Sequence, residues 1–333
     1  MASSETFTFL PLGAIIQEFN INGRNIVQGF TTAEQYKQHN APFFGETIGR
    51  IANRVSNAKI NDLNGKSYQL AINNGPNSLH GGDLGWGKRE WEGPEAVARN
   101  GKEATLFKYT SKHGEEGYPG TVKVKVWYAQ EKEQDAGVEK EVLHIEFEAE
   151  LVGDEVEETA INVTNHSYFI LGDNNSISGT EVTLITNKYQ VVDDGGIPTG
   201  PIEEYSGVTA NKTFTLGEKE PDIDDCFVVN TNPSTVPVDT RKEPLQKVAS
   251  FYHPDTKLHL EISTTEPAFQ FYTGKYIDVP AVDGLPARGA RSGFCVEPSR
   301  YVNAINIPEY RDMMVLKKGE VYGCKIVYRG WEA

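Results

Sequence analysis

A period of two in the apolar residues runs through most of this chain. In residues 142–151, Leu143, Ile145, Phe147, Ala149 and Leu151 alternate with His144, Glu146, Glu148 and Glu150. Successive side chains of an extended strand point to opposite faces, so this pattern describes a strand with one face buried and one in water. Val122, Val124 and Val126 alternate with Lys123, Lys125 and Trp127 in the same way, and Leu258, Leu260 and Ile262 with His259, Glu261 and Ser263. Residues 9–16, an apolar run broken by Pro11 and Gly13, read as a further strand. Asn22-Gly23, Asn64-Gly65 and Asn100-Gly101 each supply the positive-φ residues of a two-residue hairpin turn. Helical spacing is confined to residues 32–39, which predict a short surface helix. Many strands, tight turns and almost no crossover helices predict an all-β fold, an antiparallel sandwich or barrel. No repeat and no linker divides the 333 residues, so residues 1–333 are expected to form a single domain.

Charge narrows the partners. With 32 Lys+Arg against 47 Asp+Glu the formal net charge is −15, a field that repels phosphate backbones and anionic lipid heads. Nucleic acid and membrane are therefore not expected partners, whereas an uncharged small molecule is unaffected. No apolar run approaches the roughly 18 residues of a membrane-spanning helix. Cys226, Cys295 and Cys324 are too few and too scattered for a disulfide framework or a zinc site, and an odd count suits a reducing compartment. With no leader-like segment read at the N-terminus, a cytoplasmic location is expected. The sequons at Asn162, Asn165 and Asn211 are read as chance matches.

Several segments carry side chains suited to chemistry. Residues 161–170 place Ile161, Val163 and Phe169 on one strand face and Asn162, Thr164, His166 and Tyr168 on the other, so the histidine sits among hydrogen-bonding groups. Residues 74–88 hold five glycines, two of them directly after His80; this is either an ordinary glycine-rich loop or a close backbone approach to a ligand. The Gly-Lys-Ser/Thr ending of a phosphate loop is missing. Trp86 and Trp91 could offer ring faces to a sugar or fill a core. Gln270 and Tyr272 share one strand face, with Phe269 and Phe271 on the other. Glu297 follows Phe294-Cys295-Val296 and precedes Pro298; it is either a strand-end carboxylate in water or a partly desolvated one, whose pKa would then rise above the usual ~4.3. Arg50, Asn53 and Arg54 form a polar cluster or a surface ion-pair patch, and Asp224-Asp225 precedes an apolar strand.

Taken in order, Gly49-Arg-Ile-Ala-Asn-Arg54, Asn77-Ser-Leu-His-Gly-Gly82, Asn165-His-Ser-Tyr-Phe169, Gln270-Phe-Tyr-Thr-Gly274 and Gly293-Phe-Cys-Val-Glu-Pro298 resemble the aldose 1-epimerases, or galactose mutarotases. The resemblance implies a large antiparallel β-sandwich (a supersandwich) with an aldose lying in an open cleft. It implies that His166 is the general acid and Glu297 the general base. By the same matching Asn53, Arg54, His80, Asp224 and Gln270 bind the sugar, with Asp225 an alternative to Asp224. A monomer or weak dimer that needs neither cofactor nor metal is expected. The chain departs from the family pattern at Ile170, at Ser299 and at Val302-Asn303, none of them the acid or the base.

The implied chemistry suits these residue types. Opening a cyclic hemiacetal removes the proton of the C1 hydroxyl and adds one to the ring oxygen. A carboxylate and a protonated imidazole can make both transfers, and neither step needs redox chemistry. Two other readings share the fold: an epimerase for hexose 6-phosphates, with Arg54, Lys88 and Arg89 as candidate phosphate contacts, and a non-catalytic sugar-binding module, which would have no use for both His166 and Glu297.

Overall fold

The computed structural model describes residues 5–333. Two antiparallel sheets form its main body. The larger has nine strands in the spatial order Thr213–Thr215, Glu181–Leu184, Gln246–His253, Leu258–Thr264, Val321–Glu332, Val138–Leu151, Val122–Asp135, Lys102–Ser111 and Glu92–Arg99. The smaller has six: Tyr168–Phe169, Phe294–Ser299, Ala268–Tyr272, Asp224–Val228, Lys188–Val192 and Pro198–Glu204.

The alternation seen in the sequence becomes the division between core and surface. Val122, Val124, Val126, Leu143, Ile145 and Phe147 are fully buried and join Phe269, Phe271, Phe294 and Val296 of the smaller sheet in one apolar cluster. Phe251 of the large sheet stacks on Phe294 of the small one with ring centroids 4.2 Å apart. Each such side chain contributes about 1.5–3 kcal/mol on burial, so the sheets cannot slip by one residue without turning this row into water. On the outer face Lys125 lies opposite Glu148 in register and reaches it at 3.1 Å. Arg241 bridges Glu148 and Asp239 there as well.

All three Asn-Gly pairs form hairpin turns with both residues at positive φ (50° and 79°, 52° and 71°, 53° and 78°). The helix forms at Ala33–His39, capped by Thr32 and Gln35 in a reciprocal capping box. Two expectations need correction. Residues 9–16 are not one strand: Phe7–Leu10 and Ile15–Ile21 pair antiparallel, and the chain reverses between them through Gly13 at φ 62°. The two breakers within the apolar run decide this. Residues 161–170 are not continuous either. Thr164–Asn165 pairs with Thr47–Ile48, whereas Tyr168–Phe169 pairs with Phe294–Ser299, so the chain changes partner at His166-Ser167.

The glycines after His80 also serve a different purpose. Gly81 (φ 84°) packs on the Gly49-Arg50 backbone, where a Cβ would sit 1.9 Å from the Gly49 carbonyl oxygen. Two of the sequence motifs are thus held together by a glycine-to-glycine contact rather than by a ligand. We expect Gly81→Ala to lower stability by about 3 kcal/mol, because the clashing atom is backbone and the positive φ disfavours a side chain. Chemical denaturation measures this; a loss under 1 kcal/mol would contradict the packing described. Trp86 and Trp91 are core residues, 1% and 3% exposed and edge-to-face at 6.2 Å. Among the described residues no helix is long and apolar enough to cross a membrane.

Candidate active site

The smaller sheet presents its other face to a pocket of about 830 Å³. Phe269, Phe271, Phe294 and Val296 point into the core, so Gln270, Tyr272 and Glu297 necessarily point out of it, and all three line the pocket. Gln270 and Glu297 are direct cross-strand neighbours. Asp224 pairs with Tyr272 on the next strand and lines the same pocket, whereas Asp225 alternates away from it. The pocket walls are loops and the short strand pair Arg54–Val55 with Ser78–Leu79, which bring in Phe43, Asn53, Arg54, Asn74 and His80.

His166 arrives where the chain crosses between sheets. Its Nε2 lies 3.4 Å from Glu297 Oε1, with both side chains about 95% buried. The seven residues that the family resemblance assigned to the site (Asn53, Arg54, His80, His166, Asp224, Gln270 and Glu297) all line this one pocket. Three polar members form a chain across its floor. Asn53 Nδ2 donates to Gln270 Oε1 at 3.0 Å, and Gln270 Nε2 donates to Asp224 Oδ1 at 2.8 Å. The amide orientations are therefore fixed before any ligand arrives. Arg54 is held through its Nε by Asn74 Oδ1 at 3.0 Å.

His80 is locked to the Asn53 loop by two contacts. Its backbone N–H donates to the Asn53 carbonyl at 3.0 Å, and its Nδ1 accepts the Asn53 amide N–H at 3.2 Å. A neutral ring accepting at Nδ1 carries its proton on Nε2, so it presents a donor there. His80, His166 and Glu297 offer ligand atoms within 4.8 Å of one another, a separation that could suggest a metal site. On His80, Nδ1 already accepts the Asn53 amide, and the neutral ring then carries its proton on Nε2.

Burial dominates the electrostatics. It pushes Glu297 up to about 8, with the nearby Asp224 charge acting in the same sense and Cys295 and Arg54 opposing it. It pushes His166 down to about 3, aided by the Lys88 charge. His80 is held well below the usual imidazole value by burial and then by its charged neighbours. Between about 3 and 8 the His166–Glu297 pair therefore holds one proton, which burial places on the carboxyl.

Several sequence candidates lie elsewhere. Asn162 and Thr164, predicted on the face of His166, are wholly buried away from the pocket; Asn162 Oδ1 accepts the Arg300 amide at 2.9 Å. Their burial, like that of Asn165, leaves no room for modification at those sequons, while Asn211 is exposed. Arg50 is no surface residue: it is 1% exposed, and its guanidinium donates to the Pro119 and Gly120 carbonyls. Lys88 and Arg89 do not line the pocket and are paired with Glu46 and Glu116. Cys226, Cys295 and Cys324 are buried and unbridged. Of the positions that depart from the family pattern, Val302 lines the pocket; Asn303 instead accepts the Ser56 amide. Phe43 and Tyr276 line it too and were missed, since neither carries a sequence pattern that distinguishes it from packing.

Comparison with known proteins gives a consistent result. The family model described as aldose 1-epimerase matches residues 2–329. A bifunctional protein of Pachysolen tannophilus is 38% identical over 95% of this chain, and the chain spans 44% of that protein. The chain thus covers less than half the length of its bifunctional relatives. Galactose mutarotase of Sus scrofa is 37% identical over 90% of this chain and 81% of its own length. Among solved structures, the GalM/aldose epimerase homologue of C. elegans superposes with a TM-score of 0.80 at 25% identity, covering 98% of this chain and 95% of that one.

Proposed function

Because the chain belongs to the aldose 1-epimerase family, we propose that it interconverts the α and β anomers of free hexoses such as glucose and galactose. The observation that carries this reading is the 3.4 Å contact between His166 Nε2 and Glu297 Oε1 at the floor of the pocket. In this mechanism Glu297 accepts the proton of the C1 hydroxyl while His166 donates one to the ring oxygen. The C1–ring oxygen bond breaks, the aldehyde turns about C1–C2, and closure on its other face reverses both transfers. Atoms and protons balance with a single proton on the pair, the number that burial of the two groups sets. A C1 hydroxyl donating to the carboxylate favours its ionised form, which moves that proton toward the imidazole. O1 and the ring oxygen share one carbon, so a donor and acceptor this close can reach both.

Asn53, Arg54, His80, Asp224 and Gln270 are proposed to hold the sugar hydroxyls. Their fixed mutual hydrogen bonds support this, since donors and acceptors already oriented lose little freedom on binding. The match over residues 2–329 supports one catalytic domain. Buried, unpaired thiols support a reducing compartment, here the cytoplasm, with the protein working as a monomer or weak dimer.

The test is polarimetry of freshly dissolved α-glucose and α-galactose. Catalytic amounts of the protein should hasten the drift to equilibrium manyfold; an unchanged drift for both sugars rejects the reading. Phosphorylated hexoses are expected to be poor substrates. Arg54 is the permanent cation among the described pocket residues, against Asp193, Asp194, Asp224 and Asp278. We expect kcat/KM for glucose 6-phosphate about 100-fold below that for glucose, a difference of about 2.7 kcal/mol. The gap should narrow as salt screens the carboxylates. Equal values would favour the phosphate-specific alternative.

A further inference from the structure

We propose that Phe43 is a positioning residue that, with the His80 ring already held by Asn53, fixes the plane of the His166 imidazole and is itself held by Lys88 and Glu46; this rests on the acid–base reading above. A histidine ring turns easily about its second side-chain torsion, because that torsion has broad wells. Something must set its plane if a nitrogen is to meet a sugar oxygen. The Phe43 ring lies 4.9 Å from the His80 ring at 62° and 5.7 Å from the His166 ring at 43°. The two imidazoles are 5.0 Å apart and nearly perpendicular. The three rings thus brace one another in a single cluster on the pocket wall.

Phe43 occupies this place at a conformational cost. Its φ is 68°, a left-handed value unusual for a bulky side chain. Backbone strain of this kind persists where the surroundings over-determine it, and here they do. Glycine at position 45 donates its amide to the His166 carbonyl at 3.1 Å, and the His166 amide donates to the Glu46 carbonyl at 2.9 Å. The segment carrying Phe43 is therefore tied to the main chain of the proposed acid. The Lys88 ammonium sits 4.7 Å from the Phe43 ring centroid, an attractive arrangement for a cation over an aromatic face. Lys88 is anchored in turn by Glu46 Oε1 at 2.5 Å and by the Asn40 carbonyl at 2.6 Å. Glu46 is 1% exposed and has no part in the proton transfers. This assembly gives the ion pair between partly buried Lys88 and buried Glu46 a function.

The test compares Phe43→Leu, Phe43→Tyr and Lys88→Met with the wild type in anomerisation kinetics. Phe43→Leu keeps apolar volume but loses the ring, and should lower kcat about 10- to 100-fold, as misplaced reacting groups do, with KM within threefold. Phe43→Tyr should recover most of that loss. Lys88→Met should lower kcat about fivefold, again with KM unchanged. A rise in KM at constant kcat in Phe43→Leu would make the ring a sugar contact and overturn the proposal. So would unchanged kcat, or a Tyr variant as poor as Leu. Should Phe43→Leu fail to fold, Lys88→Met decides alone, and an unaltered kcat there rejects it. Imidazole nitrogen NMR without sugar separates this inference from the functional reading. The His166 ring, whose Nδ1 has no hydrogen-bond partner, should report one fixed environment in the wild type and an averaged one in Phe43→Leu even if no sugar is turned over; identical spectra would refute the positioning role.

Discussion

Glu297→Gln is expected to lose nearly all rate enhancement while making the protein more stable at alkaline pH. The substitution keeps the shape and a hydrogen-bonding oxygen but removes the proton acceptor. A positioned acid or base typically contributes roughly 10²–10⁴-fold, so kcat should fall by about that much with KM little changed. The stability effect has the opposite sign. Burial raises the folded-state pKa of Glu297 to about 8 from the ordinary 4.5, so the folded protein binds this proton more tightly than the unfolded chain. That contribution is fully present below the unfolded value and is lost as pH rises through about 8. Glutamine has no proton to lose. Wild type and variant should therefore unfold at similar temperatures near pH 5 and diverge by pH 9, with each kcal/mol relieved worth about 2–4 °C in a large domain. Thermal unfolding across pH measures this, alongside polarimetry. A variant that keeps wild-type activity ends the assignment of residue 297; one that loses activity without gaining alkaline stability contradicts the burial of its charge.

His166→Asn should be comparably severe in rate and should shift stability at the other end of the pH range. Burial holds the imidazole at about 3 against the ordinary 6.5, so the folded protein keeps it neutral where the unfolded chain would protonate it. Its contribution is present above 6.5 and lost as pH falls toward 3. Asparagine removes that penalty, and the variant should resist acid better between these values. Kinetically, the two residues act on one proton pair, so the Glu297→Gln/His166→Asn double variant should be little worse than either single one. Fully multiplicative losses would mean that the two groups work independently, against the reading drawn from their contact. The wild-type rate should decline above about pH 8, where the pair loses its last proton.

Much of this architecture was legible in one dimension, and for identifiable reasons. The alternations at residues 122–126, 142–151 and 258–262 gave strands because a strand with one wet face has no other way to arrange its side chains. The Asn-Gly pairs gave hairpins because few residues accept the left-handed conformation those turns demand. The seven site candidates came from a resemblance in motif order, and the structure gathers all seven around one pocket. At residues 161–170 the local period was intact but the partner changed. Asn162, Thr164 and His166 keep the same parity, yet only His166 reaches the pocket. The chain leaves one strand partner and joins another at that residue.

The sequence alone determined which faces of the strands would be apolar, since that depends on the period of two and the preference of hydrocarbon for a dry interior. Only the tertiary structure decided which polar groups would share an environment, because distance between residues 43, 166 and 297 is a property of sheet pairing and loop closure. Burial depth, and through it the proton held between imidazole and carboxyl, follows from that packing and from nothing local.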